Sequence, residues 1–302
     1  MPFAISTSWN ASFHTSGKDL VKELSRFGFS RLELSFNLTP QMVEEIALLQ
    51  KEEKVEILSV HNYCPIPDGL ERKVALPDCY SMTALDNKER EKAIFFSRRS
   101  IDTAARLGAK AVVFHTGKVG IQDKTRILIR LYNEGKKDSK EYATIMQLMI
   151  KERKAEAVGN LEKLMESLAV LAKYAEDKGV LLGIENRYYF REIPSLDEFE
   201  VIFDKFKNVY YWHDVGHAQL YENLGFLKHL DYLKKYHTRL IGMHFHDIRG
   251  AEDHLPPLKG DFDFKLLLPF VKPETIKVIE AHYPATSEEV KKAEEYLTGL
   301  FR

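Results

Sequence analysis

Seven apolar runs in this chain end on a side chain that can bind a proton or a cation. They are Glu33 in Leu-Glu-Leu-Ser, His61 in Ser-Val-His-Asn, His115 in Val-Phe-His-Thr-Gly, Glu185 in Gly-Ile-Glu-Asn-Arg, Asp214 in Trp-His-Asp-Val-Gly-His, His244 in Gly-Met-His-Phe-His-Asp and Glu280 in Val-Ile-Glu-Ala-His. Such groups are destabilising when buried without partners, so their recurrence at run ends points to one shared site. Imidazole nitrogen with carboxylate oxygen and no thiolate is a donor set suited to Zn²⁺, Mn²⁺ or Fe²⁺. Two further histidines extend the series: His217, three residues after Asp214, and His254 in Glu252-Asp-His-Leu-Pro-Pro. The two cysteines, Cys64 and Cys79, lack CxxC spacing, which excludes a disulfide framework and a thiolate zinc site as readings. Cys64 is read as a free thiol.

For residues this far apart to meet, the elements between them must repeat. Short β-rich runs at 3–6, 31–35, 56–60, 111–114, 180–184, 209–212, 240–245 and 276–279 alternate with helical periodicity at 17–27, 40–53, 87–107, 195–206, 224–237 and 286–300. Gly28, Gly108 and Gly179 stand where helices must stop before the next strand. Eight strand–helix repeats imply parallel strands with right-handed crossovers. The first strand leads into Thr7-Ser-Trp-Asn-Ala-Ser with no GxGxxG, which disfavours an open dinucleotide-binding sheet. The expected fold is therefore an α/β (β/α)8 TIM barrel, a single domain over 1–302, with enlarged segments after strands 3 and 4.

A barrel collects its strand ends at one mouth, which is where its active sites lie. The segment after strand 4 contains 127–132 and a helical tract from 139 to 178, read as a helical insertion at about 117–160. It serves either as a lid over the mouth or as extra helices packed on the rim.

The order His, His, Glu, Asp-x-x-His, His-x-His-Asp, His-x-x-Pro…Gly, Glu resembles the xylose isomerase-like TIM-barrel superfamily, which also contains the apurinic-site endonucleases. The resemblance spans nearly the whole chain. For its isomerase and epimerase branch it implies one divalent ion held by Glu185, Asp214, His244 and Glu280. In that branch the two glutamates, Glu185 and Glu280, are catalytic and exchange a proton on the substrate carbon. For the endonuclease branch it implies a multinuclear site joined by His61, His115, His217 and His254, with an acid two residues before the last histidine. Here that acid is Glu252, where the branch has aspartate.

Around this set, Glu33, Arg187, His246 and Trp9 are the expected substrate contacts. His246 shares strand parity with His244 and with Asp247 is read as orienting a ligand. Arg187 either grips an oxyanion of the substrate or pairs with Glu192. Trp9 offers an apolar wall to a sugar face or simply packs.

Hydrophobic residues make up 44% and charged residues 29% of the 302, a balance that excludes a disordered or fibrous chain. With 44 basic and 45 acidic side chains, no global positive field recruits nucleic acid, which makes it an unexpected partner. No basic leader with a long apolar stretch is visible and no run reaches the length of a membrane helix, so a cytoplasmic protein is expected. The expected function is a divalent-metal-dependent isomerase or epimerase of a small sugar or related polyol ketone, working through an enediolate with Zn²⁺ or Mn²⁺, one to three ions per chain. The competing readings are a multinuclear zinc phosphodiesterase and a barrel that binds metal and sugar without chemistry.

Overall fold

The structure, a computed structural model, describes residues 3–302; the first two residues, where the reading of the leader begins, lie outside the described residues. Eight parallel strands close into a barrel in which each pairs with its sequence neighbours: β1 (Ala4–Ser6), β2 (Arg31–Leu34), β3 (Glu56–His61), β4 (Ala111–Phe114), β5 (Leu181–Glu185), β6 (Val209–Asp214), β7 (Leu240–Phe245) and β8 (Ile276–Ile279). All eight fall on the runs expected from the sequence. Most of the helices begin at side-chain caps that satisfy their first free N–H groups. Ser16 caps α1 (Gly17–Arg26), Thr39 caps α2 (Pro40–Lys51), Asp86 caps α3 (Asn87–Arg106) and Ser139 caps α5 (Lys140–Asp177), which follows the short α4 (Thr125–Asn133). Ser195 and Thr286 open α6 (Leu196–Lys205) and α9 (Ser287–Leu300) with capping boxes.

One expected helix is wrong. Residues 224–237 are not one helix: α7 (Val215–Leu224) ends at Gly225, whose φ of +88° only glycine adopts at low cost, and α8 (His229–Tyr236) starts afresh. The real α7 begins immediately at the Asp214 cap, so β6 and its helix share a residue that also belongs to the site.

Successive strand residues face opposite sides, and this alternation sorts the barrel. Outward residues such as Ile5, Leu32, Val60, Phe114, Leu182, Ile184, Phe245 and Ile279 form the main core beneath the helices. Inward residues Ala4, Ala111, Val113, Trp212, Ile276 and Val278 plug the lower barrel. Continuing by twos along the same faces, the chain reaches Glu33, His61, His115, Glu185, Asp214, His244 and Glu280. Two register shifts, where β3 skips Leu58 and β7 skips Ile241 in pairing, keep an apolar residue inside and still turn Ser59, His61, Gly242 and His244 inward.

The segment after β4 is built as two pieces. Gly117–Lys118 pairs antiparallel with Glu192–Ile193, and α4 with the start of the 38-residue α5 packs on α7 through Leu128, Leu131, Tyr142, Met149, Leu220 and Leu224. At ~1.5 Å per residue α5 spans about 57 Å, so inserted and barrel helix are one continuous rod. Buried Arg153 on that rod forks onto Glu198 at 2.8 and 2.7 Å and donates to the carbonyls of Phe190 and Glu192, fixing the loop after β5.

The barrel plug depends on a missing side chain. A Cβ on Gly242 would stand 2.1 Å from the Trp212 indole, a fully buried ring in the barrel interior. Gly242→Ala is expected to destabilise by about 1–3 kcal/mol in urea denaturation; unchanged stability would mean that Trp212 is free to move.

Candidate metal centre

Glu185, Asp214, His244 and Glu280 offer ligand atoms that all lie within 4.8 Å of one another, and none is more than 5% exposed. They come from the ends of β5, β6 and β7 and from the residue just past β8. His244 sits at the middle. Its Nδ1 is 2.6 Å from Glu185 Oε1, 2.9 Å from Glu280 Oε2 and 3.8 Å from Asp214 Oδ2, and its Nε2 is 3.0 Å from Glu33 Oε1. Glu33 also accepts the Ser59 hydroxyl at 2.7 Å. Asp214 accepts the His217 N–H at 2.7 Å as the cap of α7, where the helix dipole favours a negative charge.

Burial disfavours a charge on every one of these groups. Mutual attraction outweighs it. Burial depresses His244, yet Glu280, Glu33 and Glu185 hold its imidazole well above the ordinary range. Burial raises Glu185 and Glu280, yet His244 with His115 draws the first well below the carboxylate range and His244 with His254 draws the second. Four buried carboxylates thus converge on one imidazolium. Hard oxygen donors plus one nitrogen at this separation are what a divalent first-row ion requires, so the residues present fit one.

Histidines flank the centre on two sides. On one, His115 Nε2 lies 2.6 Å and His61 Nε2 3.9 Å from Glu185 Oε2, and the three form a second ligand group. On the other, His217, His246 and His254 converge, and His254 also groups with Glu280 and His282. His246, His254 and His282 stack as parallel rings at 4.1 and 3.9 Å. His246 Nδ1 accepts the His254 N–H at 2.9 Å, so its Nε2–H donates to Asp214 at 2.9 Å. Both its nitrogens are occupied, which makes it an orienter of Asp214 rather than a free substrate contact.

Several expected residues are placed otherwise. Glu252 is exposed; on the short strand Glu252–Leu255 adjacent residues face opposite ways, and it is Asp253 that reaches His254 Nδ1 at 2.8 Å and lies 4.0 Å from His217 Nε2. Trp9 packs edge-on against Phe27 and gives its indole N–H to the Ala285 carbonyl at 2.9 Å, so it is part of the core. Asp247 accepts the N–H groups of Ile248, Leu258 and Phe262, tying its own loop rather than a ligand. Arg187 is buried and committed to carboxylates, 2.9 Å from Glu192, 3.0 Å from Glu185 and 3.6 Å from Asp78. Of its two readings, pairing with Glu192 is the one seen, inside the protein instead of at its surface. Cys64 is a free thiol, fully buried, and burial pushes its pKa up.

Asp78, Asp253, Asn186 and His282 were not expected from the sequence. Asp78, which meets His115 Nδ1 at 3.2 Å, sits in the long loop after β3 without a motif. His282 had a usable signal: it stands two residues beyond Glu280.

A family model described as the xylose isomerase-like TIM barrel matches residues 21–299. The chain belongs to that family. The solved structures it resembles include a D-tagatose 3-epimerase-like protein, with 20% identity, TM-score 0.70 and 99% and 97% of the two chains covered. A 3-keto-D-glucoside 4-epimerase from E. coli has 16% identity, TM-score 0.68 and 99% of each chain covered. A Thermus thermophilus protein soaked with ZnCl2 has 19% identity, TM-score 0.58 and 99% and 96% covered. At these identities the likeness establishes the family's fold. No curated protein sequence matches the chain. Among the described residues, no helix is long and apolar enough to cross a membrane.

Removing the guanidinium would leave Glu192 buried without its cation and Glu185 Oε2 with His115 as its close partner. Arg187→Met is therefore expected to cost about 3–5 kcal/mol in denaturant unfolding; a change within about 0.5 kcal/mol, as for an ordinary surface arginine, would contradict this placement.

Proposed function

We propose that this protein is a divalent-metal-dependent isomerase or epimerase of a small sugar or related polyol ketone. The observation that carries the reading is that Glu185 and Glu280, from two different strand ends, both reach Nδ1 of His244, at 2.6 and 2.9 Å. Glu185, Asp214, His244 and Glu280 would hold the ion. When bound, such an ion polarises neighbouring carbonyl and hydroxyl oxygens and steadies the negative charge that follows loss of a C–H proton. One glutamate as carboxylate takes that proton to give an enediolate, and the other, entering the step as the carboxylic acid, gives its proton to the opposite face or the adjacent carbon and is left ionised, so the pair exchanges roles with each turnover. His61 and His115 on one flank, and His217 and His254 on the other, would hydrogen-bond sugar hydroxyls. Glu33 orients His244 from behind through Nε2.

A second reading has its own support. His61, His115 and Glu185 form one further ligand group, and His254 with Glu280 and His282 another, which is the donor supply a multinuclear phosphodiesterase uses. The near-neutral net charge of −1 gives that reading no electrostatic help with a polyanion.

Incubation in D2O with Mn²⁺ or Zn²⁺ and a panel of ketoses including D-tagatose and D-allulose separates the two. Wild-type protein is expected to place deuterium on the carbon beside the carbonyl, with one tightly held ion per chain. Glu185→Gln and Glu280→Gln, with the ion saturating, are each expected to lower that exchange by about 10²–10⁴-fold. Wild-type exchange in either variant excludes the glutamate scheme, and about three ions with nicking of an abasic oligonucleotide favours the phosphodiesterase.

A further inference from the structure

Beyond the end of the β5–β6 ladder, one side chain takes over the work of the backbone. The last main-chain link between the two strands, Asn186 N–H to the Trp212 carbonyl, is already long at 3.4 Å. The Asn186 carboxamide then supplies the next rung itself: Oδ1 accepts the Asp214 N–H at 2.7 Å, and Nδ2 donates to the Asp214 carbonyl at 2.9 Å. Its own carbonyl receives His217 Nδ1 at 3.1 Å, closer than the 3.4 Å from that nitrogen to Asp214 Oδ1. With its proton on Nδ1, His217 presents the bare Nε2 toward Asp253 and the other histidines. Asn186 and Asp214 are fully buried, and His217 is nearly so.

Asn186 does not stand alone. Tyr211, on the outer face of β6, gives its hydroxyl to Asn186 Oδ1 at 2.9 Å and is 2.6 Å from His213 Nδ1; His213 Nε2 is 3.1 Å from His229 Nε2. The amide fixes the direction of the whole chain. Oδ1 must accept, because it also receives the Asp214 N–H. The Tyr211 proton is therefore spent on it, and His213 must donate its Nδ1–H to the phenol oxygen. A neutral His213 then accepts at Nε2, so His229 donates from its own Nε2. That leaves His229 Nδ1 as a bare acceptor, and it is indeed the ring atom with no hydrogen-bond partner. The proton order is self-consistent over four residues from the start of α8 to the mouth of the barrel.

We propose that Asn186, backed by Tyr211, His213 and His229, is a positioning residue that holds Asp214 ready for the ion and fixes the tautomer of His217 beside it. This rests on the metal reading of the centre and adds residues that touch no ligand atom of the ion themselves. Groups that orient metal ligands in this way typically set metal affinity by about 10–100-fold.

The test is Co²⁺ titration of the purified full chain, following affinity and the visible absorption of the bound ion. Asn186→Ala is expected to weaken Co²⁺ binding by about 10–100-fold and to shift the band. Tyr211→Phe, which keeps the ring and its packing, is expected to do the same by a smaller factor. Tyr236→Phe removes another largely buried phenol whose hydrogen bond, to the Leu196 carbonyl, lies outside the chain of protons; it is expected to change the melting temperature only. If Asn186→Ala does not fold, Tyr211→Phe alone decides. Wild-type affinity and spectrum in the folded variants overturn the inference while leaving the metal reading intact. Wild-type protein that takes up no Co²⁺ overturns both.

Discussion

The structure is organised around an electrostatic constraint: Glu33, Glu185, Asp214 and Glu280 are buried within reach of one imidazole. Isolated carboxylates at such depth would be protonated or would unfold the barrel mouth. They are tolerated because each is held by a directed partner. Ser59 and His244 hold Glu33, Arg187 and His115 hold Glu185, His246 and the first turn of α7 hold Asp214, and His244 holds Glu280. His244 is the member that all four face. The same arrangement that makes it an imidazolium makes the cluster a receptor for a doubly charged ion.

The rest of the fold answers to that constraint. Alternation along the strands places a dry plug around Trp212 below and the polar ring above, so the costly groups occur only where the barrel opens. The pairing shifts in β3 and β7 let two strands serve both layers. Outside the barrel, the bidentate Arg153–Glu198 pair and the short pairing of Gly117–Lys118 with Glu192–Ile193 hold the loop that carries Arg187 and Glu192. The long helix α5 is thus joined to the centre through the backing of Glu185.

Much of this was legible in the sequence, for a physical reason. Strands of a parallel barrel are largely apolar on both faces until they reach the mouth, so an ionisable residue closing a run marks a strand end; Glu33, His61, His115, Glu185, Asp214, His244 and Glu280 are all read this way. What failed was reading outside the strands. Glu252 and Asp253 are neighbours in a hairpin whose facing depends on pairing; the resemblance to the endonuclease branch points to Glu252, and the pairing turns Asp253 to the histidines. Trp9 has a side chain suited to a ligand, but its partner, the Ala285 carbonyl, is distant in sequence; for Arg187 the pairing with nearby Glu192 is one of two readings, while its burial and its contact with Asp78 give no signal. Asn186 was hidden because its role lies in replacing a backbone rung, which no residue pattern announces. The break at Gly225 was obscured by an apolar pattern that runs on through it.

The most direct measurement is anomalous diffraction from crystals soaked in Mn²⁺ or Zn²⁺, with data on both sides of the metal absorption edge. The account predicts its strongest peak among Glu185, Asp214, His244 and Glu280, with oxygen and nitrogen ligands at about 2.0–2.2 Å and His244 drawn off the carboxylates to bind as a neutral imidazole. A centre that stays free of anomalous density while His244 keeps its 2.6 Å contact with Glu185 would contradict it.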